Sequence, residues 1–202
     1  HHKAKITHIP SGDFAFYDQV LNHTLMFGAI PSRYEALKGG DPLALYFAMA
    51  RGLQKDGVDV VACEMTKWFD TNYHYLVPEF SESTEFSLGF APVLEHFLEA
   101  KALGYTTRPV VIGPVTYLLL GKMKGGKSAL SLLPKLLPAY VQLLAQLKEA
   151  GAEWVQVDEP YLALDVSDEA KAAFEMAYAP GTIDNLWWWP IMTPFFSKLR
   201  GE

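Results

Sequence analysis

The stretch Pro109-Val110-Val111-Ile112, which ends at Gly113-Pro114, decides the fold class of this 202-residue chain. It is short, rich in β-branched residues and stopped by turn-forming residues, which is typical of a strand buried in a sheet. Helical patterns flank it, because apolar residues repeat at helical spacing through 88–103 and again through 136–150. A strand between two helices predicts an α/β fold with parallel strands.

Three more segments have the same strand pattern, at 5–9, 58–63 and 153–157. Further helices are predicted at 42–51 and 167–178. Four strands cannot close an eight-stranded barrel. We therefore expect either an open sheet or a partial (βα)8 barrel with parallel strands that is incomplete in this chain.

The composition limits the classes of function. The formal net charge is -6 and the chain has no run of Lys and Arg, so no nucleic-acid partner is expected. No apolar run is long enough to span a membrane, and no signal-peptide pattern is present, so no membrane partner is expected either. The single cysteine, Cys63, excludes a disulfide within the chain and a zinc site of several cysteines. It fits a reducing compartment, and we expect a cytoplasmic protein.

Charged residues follow two of the predicted strands. Lys67 comes shortly after 58–63, and Asp158 and Glu159 come directly after 153–157. In α/β folds, sites are built at the carboxyl ends of the strands. The two adjacent carboxylates have the form of a catalytic pair. The alternative is structural, with Asp158 capping the next helix or bonding loop amides.

Four motifs in a fixed order carry a resemblance to a known family. The longest is Glu64-Met65-Thr66-Lys67-Trp68-Phe69-Asp70-Thr71-Asn72-Tyr73-His74-Tyr75 with Val77-Pro78-Glu79. The others are Gly12-Asp13-Phe14 with Tyr17-Asp18, Gly113-Pro114-Val115-Thr116-Tyr117, and Trp154-Val155-Gln156-Val157-Asp158-Glu159-Pro160. Together they resemble the amino-terminal domain of cobalamin-independent methionine synthase, over residues 5–178.

The resemblance implies a methyltransferase family of methionine biosynthesis. Its members move a methyl group from 5-methyltetrahydrofolate polyglutamate to homocysteine. They contain two βα barrels, and the carboxyl-terminal barrel holds a zinc ion through His, Cys, Glu and Cys. We therefore expect this chain to be a fragment without its own metal or cofactor. Homocysteine would bind only with the missing domain, and the isolated chain would not be catalytic.

The resemblance also assigns roles to residues. Lys67 is expected to contact the folate, with a carboxylate of the glutamate tail as its natural partner. The structural alternative is an ion pair of Lys67 with Glu64 or Asp70. Asn72 and His74 are weaker candidates for substrate binding. So are Asp158 and Glu159, for which the resemblance favours a structural role, and no catalytic or metal-binding residue is expected.

Two interpretations of the chain other than an enzyme fragment remain open. One is a truncated, noncatalytic paralogue that acts as a binding or structural module. The other is a nucleotide-binding protein, because Gly121 to Ser128 matches the phosphate-loop pattern G-x-x-x-x-G-K-S. A phosphate loop must join a strand directly to a helix, and 117–120 does not have the pattern of such a strand.

The chain is expected to divide at residue 180. Residues 1–180 would form the partial barrel, and 181–202 would be an atypical tail rich in Trp and Phe. Three adjacent Trp residues at 187–189 fit neither helical nor strand periodicity. We expect the tail to be foreign to the rest of the gene, with a wedge over the core or a partner contact as alternatives.

Overall fold

The computed structural model describes residues 9–55, 57–180 and 182, and the backbone of 188–189. Short 3-10 helices in the described ranges lie at Ser32–Leu37, Ala129–Leu132 and Pro160–Ala163. In chain order, the main elements are β1 (Ile9–Ser11), α1 (Gln19–Met26), α2 (Pro42–Arg51), β2 (Leu53–Lys55), β3 (Val58–Val60), β4 (Met65–Lys67), β5 (His74–Leu76), β6 (Glu79–Phe80), α3 (Pro92–Ala102), β7 (Thr107–Ile112), α4 (Pro114–Leu120), β8 (Lys122–Met123), α5 (Leu133–Glu149), β9 (Val155–Asp158), α6 (Asp168–Ala177) and β10 (Trp188–Trp189).

A parallel sheet is the centre of the fold. Its strand order is β1-β7-β9-β10, and every neighbouring pair is parallel. Val111 lies opposite Val157, and both side chains are buried in the main core. The predicted α/β fold with parallel strands is therefore confirmed. The predicted strands at 109–112 and 153–157 are β7 and β9, whereas 5–8 of the first predicted strand lie outside the described residues.

The predicted strand at 58–63 is wrong as a buried member of this sheet. Val58–Val60 pairs antiparallel with Leu53–Lys55 instead, in a separate two-stranded sheet. Gly57 makes this hairpin possible, because its φ of 80° is readily adopted only by glycine. Val61, which directly follows β3, is 71% exposed. The run of β-branched residues had correctly indicated a strand but not its partner.

The main core lies between the sheet and its helices. Helix α5 is central to it, and its side chains Leu136, Tyr140, Leu143 and Leu147 are fully buried. Among the described residues, only Ala129–Glu149 is long and apolar enough to cross a membrane, and 56% of that window is buried inside the protein. We therefore assign α5 as a core helix.

The tail contributes the fourth strand of the sheet. The backbone of Trp188 and Trp189 pairs in parallel with Val155 and Gln156 at the edge of β9. The expectation that the Trp run forms no strand is therefore wrong for these two residues. Pairing at an edge uses backbone amides and carbonyls, so it does not need alternating side chains. The remainder of 181–202, apart from Thr182, lies outside the described residues.

Candidate functional site

The candidate site is a hairpin of β4 and β5, which pair antiparallel. Lys67 lies directly opposite His74, so their Cβ atoms are about 5 Å apart on one face. Both side chains are exposed, as is that of Asn72 in the connecting loop. The Nδ1 of His74 lies 2.9 Å from the carbonyl oxygen of Asn72 and donates to it. The structure thus brings together three of the residues predicted to bind substrate.

The ion pair offered as the structural role of Lys67 does not form. Glu64 accepts from the Nζ of Lys122 instead, at 2.6 and 2.7 Å. Within the described part of the chain, the side-chain ammonium of Lys67 has neither a hydrogen-bond nor an ion-pair partner. Its ammonium is therefore available to an anion from solution.

Aromatic packing holds the loop that joins the two strands. The amide of Trp68 donates to the carbonyl oxygen of Tyr73 at 2.7 Å and closes the loop. Phe69 has a φ of 49°, which is costly for a bulky residue. Its ring packs edge-on against Tyr161 at 5.3 Å, while the ring of Trp68 packs against Tyr75 at 5.9 Å. These contacts offset the backbone strain and fix the loop to the fold.

Asp18 joins the hairpin to helix α1. It is fully buried, and its Oδ2 accepts from the amide of Leu21 at 2.8 Å, which caps α1. The same oxygen accepts from the amide of Leu76 in β5 at 3.0 Å, and Oδ1 accepts from the hydroxyl of Tyr73 at 2.8 Å. Burial raises the pKa of Asp18, although these hydrogen bonds oppose the rise. Sequence reasoning missed this residue as part of the site.

His23 fixes the other end of α1 to the sheet. Its Nδ1 lies 2.8 Å from the carbonyl oxygen of Gln19, and its Nε2 lies 2.9 Å from the amide nitrogen of Ile112. The carbonyl can only accept and the amide can only donate, so the ring is neutral with its proton on Nδ1. Burial lowers the pKa of His23 to about 4.

The adjacent carboxylates of Asp158 and Glu159 do not form one site. Glu159 is buried and accepts from the amides of Val115 at 3.2 Å and Thr116 at 2.7 Å, at the start of α4. The hydroxyl of Tyr178 donates to it at 2.7 Å. Burial raises the pKa of Glu159 to about 7, although these hydrogen bonds oppose the rise. Glu159 therefore links the end of β9 to the start of α4 and to Tyr178.

Asp158 does not have the capping role expected of it. Its Oδ1 accepts from the side-chain amide of Gln156 at 2.7 Å, and burial raises its pKa. The cap is made by Glu159 instead, and it serves α4, which precedes these carboxylates in the chain. The sequence predicts a cap on the helix that follows these carboxylates in the chain. The parallel sheet instead brings the start of α4 beside the end of β9, where Glu159 lies.

The formal phosphate-loop match has the wrong context. Gly121 follows helix α4, not a strand, and the next two residues form β8. Lys127 forms an ion pair with Glu82, and Ser128 caps the short helix Ala129–Leu132. The loop therefore lacks the strand-to-helix geometry that lets backbone amides surround a phosphate.

Metal-binding groups are also dispersed. Among the described residues, no three His, Cys, Asp or Glu side chains lie where they could hold one ion. Cys63 is buried, its Sγ lies 3.5 Å from the hydroxyl of Tyr34, and burial raises the pKa of its thiol. The described residues therefore do not fit a zinc ion.

Comparison with known proteins identifies the family. Residues 1–193 match the family described as "Cobalamin-independent synthase, N-terminal domain". The chain belongs to this family. The match extends beyond residue 178, where the four sequence motifs end.

Three relatives share the name 5-methyltetrahydropteroyltriglutamate–homocysteine methyltransferase. The name of the Schizosaccharomyces pombe protein carries the word "Probable". The chain is 59% identical over 171 residues to the protein of Xylella fastidiosa, and this match covers 84% of the chain and 22% of the relative. It is 54% identical over 178 residues to that of Flavobacterium johnsoniae, covering 87% and 23%. It is 50% identical over 203 residues to that of Schizosaccharomyces pombe, covering 96% and 26%. The chain thus spans about a quarter of the length of these family members.

Proposed function

We propose that this chain is the part of a methyltransferase that holds the glutamate tail of its folate substrate. The complete enzyme would move a methyl group from 5-methyltetrahydropteroyltriglutamate to homocysteine, the two compounds in the names of its relatives. The observation that carries the proposal is the exposed ammonium of Lys67, which has no partner among the described residues. A glutamate tail is a row of carboxylates and needs such a cation.

The surroundings of Lys67 suit a weak, charge-dependent contact. Glu64, one of the two acidic residues that lie three positions from Lys67, is already paired with Lys122. One exposed ion contact contributes about 1 kcal/mol, which is about a fivefold change in affinity. A tail with several carboxylates could also accept from the side-chain amide of Asn72, in the loop of the same hairpin.

The transfer of the methyl group itself would take place in the rest of the complete enzyme. The zinc ion that binds homocysteine would belong to a carboxyl-terminal barrel of the complete enzyme, since the residues that the structure describes do not fit one. The four parallel strands follow one another in the same order in the chain and in the sheet, which supports a partial barrel. The free thiol of Cys63 suits a reducing environment, and the proposal places the protein in the cytoplasm.

Calorimetric titration tests the binding role. The 202-residue chain should bind 5-methyltetrahydropteroyltriglutamate more tightly than the monoglutamate, and Lys67→Ala should remove that difference. Lys148→Ala is the matched control, because Lys148 is also exposed and lies on α5, outside the hairpin. Equal affinity for both folates in the unaltered chain would refute tail recognition and favour the noncatalytic module.

An activity assay tests the division of labour. The isolated chain should form no methionine from homocysteine and the triglutamate folate, with or without added zinc. Methionine formation at a rate proportional to the concentration of the purified chain would overturn the proposal that the chemical step lies elsewhere.

A further inference from the structure

One buried carboxylate holds both ends of the strand that pairs with Lys67. Asp18 accepts from the hydroxyl of Tyr73, just before β5, and from the amide of Leu76, at its end. Between these two residues lies His74, the cross-strand neighbour of Lys67. The position of Lys67 is thus linked to Asp18 through the strand that it pairs with.

We propose that Tyr73 is a positioning residue for the anion site, acting through Asp18 to fix the hairpin that presents Lys67. This inference rests on the proposed function of Lys67. It adds a residue that makes no contact with the tail but determines how well the ammonium is placed to meet it.

The hydroxyl of Tyr73 is the part of the side chain best placed to act. The residue is 41% exposed, so its ring contributes less burial than a core tyrosine does. Its hydroxyl, by contrast, donates to Asp18 at 2.8 Å and accepts from the amide of Gln19 at 3.3 Å. Because Asp18 also caps α1, the hydroxyl joins the hairpin to a helix start that is itself fixed.

The hydrogen bond from Tyr73 to Asp18 helps to hold a loop whose backbone is strained. Phe69 holds its φ of 49° in the same loop, and such a conformation persists only when the surroundings enforce it. The loop is held at Phe69 by the ring of Tyr161 and at Tyr73 by Asp18. Without the second contact, the loop can relax toward an unstrained backbone and move β5, which shifts Lys67.

A double-mutant cycle in the 202-residue chain tests the inference. The variants are Tyr73→Phe, Lys67→Ala and both together, and the measurement is the Kd of 5-methyltetrahydropteroyltriglutamate. Lys67→Ala should raise the Kd about fivefold and Tyr73→Phe about threefold. The double variant should bind no more weakly than Lys67→Ala, because a displaced Lys67 and an absent one are equivalent.

A matched control separates positioning from general loss of stability. The hydroxyl of Tyr140 donates to the carbonyl oxygen of Ile112 at 2.7 Å in the core, outside the hairpin. Tyr140→Phe should lower the Tm and leave the Kd unchanged. A threefold rise in Kd for this control would show that Tyr73→Phe acts through stability alone and would overturn the inference.

A second variant keeps the inference testable if Tyr73→Phe does not fold. Gln19→Pro removes the amide that donates to the Tyr73 hydroxyl but leaves Tyr73 intact. Gln19 is the first residue of α1, where proline is tolerated, and Asp18 has the extended backbone (φ -150°, ψ 136°) that suits the residue before proline. Gln19→Pro should raise the Kd about twofold when it is the only substitution. In a chain that already carries Lys67→Ala, it should leave the Kd unchanged.

The cycle distinguishes the two possible failures. If Lys67→Ala weakens binding while Tyr73→Phe has no effect, or has an equal effect in the presence and absence of Lys67, the positioning role is refuted and the proposed function stands. If Lys67→Ala itself leaves the Kd unchanged, the proposed function of Lys67 fails, and the positioning role fails with it.

Discussion

His23 and Glu159 should give opposite pH dependences of stability in the same pH range. Burial lowers the pKa of His23 to about 4 in the folded protein, from an ordinary value of 6.5. Its contribution is present above pH 6.5 and is lost as the pH falls toward 4, because the unfolded chain then binds the proton more readily. The difference between these two pKa values, at about 1.4 kcal/mol for each pH unit, corresponds to about 3–4 kcal/mol.

Glu159 acts in the opposite direction. Burial raises the pKa of Glu159 to about 7 in the folded protein, from an ordinary value of 4.5. Its contribution is fully present below pH 4.5 and is lost as the pH rises through 7. The difference between the two pKa values again corresponds to about 3–4 kcal/mol. Between pH 4.5 and 6.5 the two effects should nearly cancel in the unaltered chain.

Urea unfolding at several pH values between 4.5 and 7 measures this balance. As the pH falls, the free energy of unfolding of His23→Gln should rise relative to that of the unaltered chain. The variant no longer loses stability by protonation of His23, but it still gains stability from Glu159. For Glu159→Gln, it should fall relative to the unaltered chain over the same range. Other titrating groups are common to all three proteins and cancel in these differences. Parallel profiles for both variants would refute the assignment of a buried neutral histidine and a buried carboxyl with a raised pKa.

Three further perturbations have expected outcomes. Ser167→Ala should lower the free energy of unfolding by about 1 kcal/mol in urea, because the hydroxyl of Ser167 accepts from the amide of Ala170 at the start of α6; no change would mean that the cap contributes nothing. Gly113→Ala should lower the free energy of unfolding by about 3 kcal/mol or more, because the added Cβ would lie 2.1 Å from the carboxyl carbon of Glu159. Three hydrogen bonds hold that carboxyl group in place. A near-normal Tm would show that Glu159 can move. ATP with magnesium should leave the Tm unchanged, because the stretch from Gly121 to Ser128 is not a phosphate loop; a rise in Tm that grows with ATP concentration would contradict this.

The sheet was predictable wherever a short β-branched run stood between turn formers. The runs that became β7 and β9 were assigned correctly, and so was the start of α6 at Ser167. The run at 58–63 has the same composition, yet it pairs locally because Gly57 turns the chain back on β2. Composition reports the tendency to form a strand, whereas the choice of partner depends on the turn.

The site was predictable only in part, because its support comes from distant segments. Lys67, Asn72 and His74 could be singled out because they lie in one contiguous motif. The buried carboxylate of Asp18 supports this motif from more than 50 positions away, and no local spacing indicates that contact. Glu159 likewise turns back to amides that precede it by more than 40 positions. Such contacts are set by the packing of α1 and α4 against the sheet.

The burial of Cys63 gives the chain an intrinsic reporter of local opening. The residue is 7% exposed and burial raises the pKa of its thiol, so an alkylating reagent should react with it slowly while the fold is closed. The residue lies next to Glu64, where the candidate hairpin motif begins, and it is the only cysteine in the chain. The rate of labelling therefore reports how often this region opens, without any engineered probe. Ligands that stabilise the hairpin should slow the labelling, and this dependence could rank them where a direct heat of binding is too small to measure.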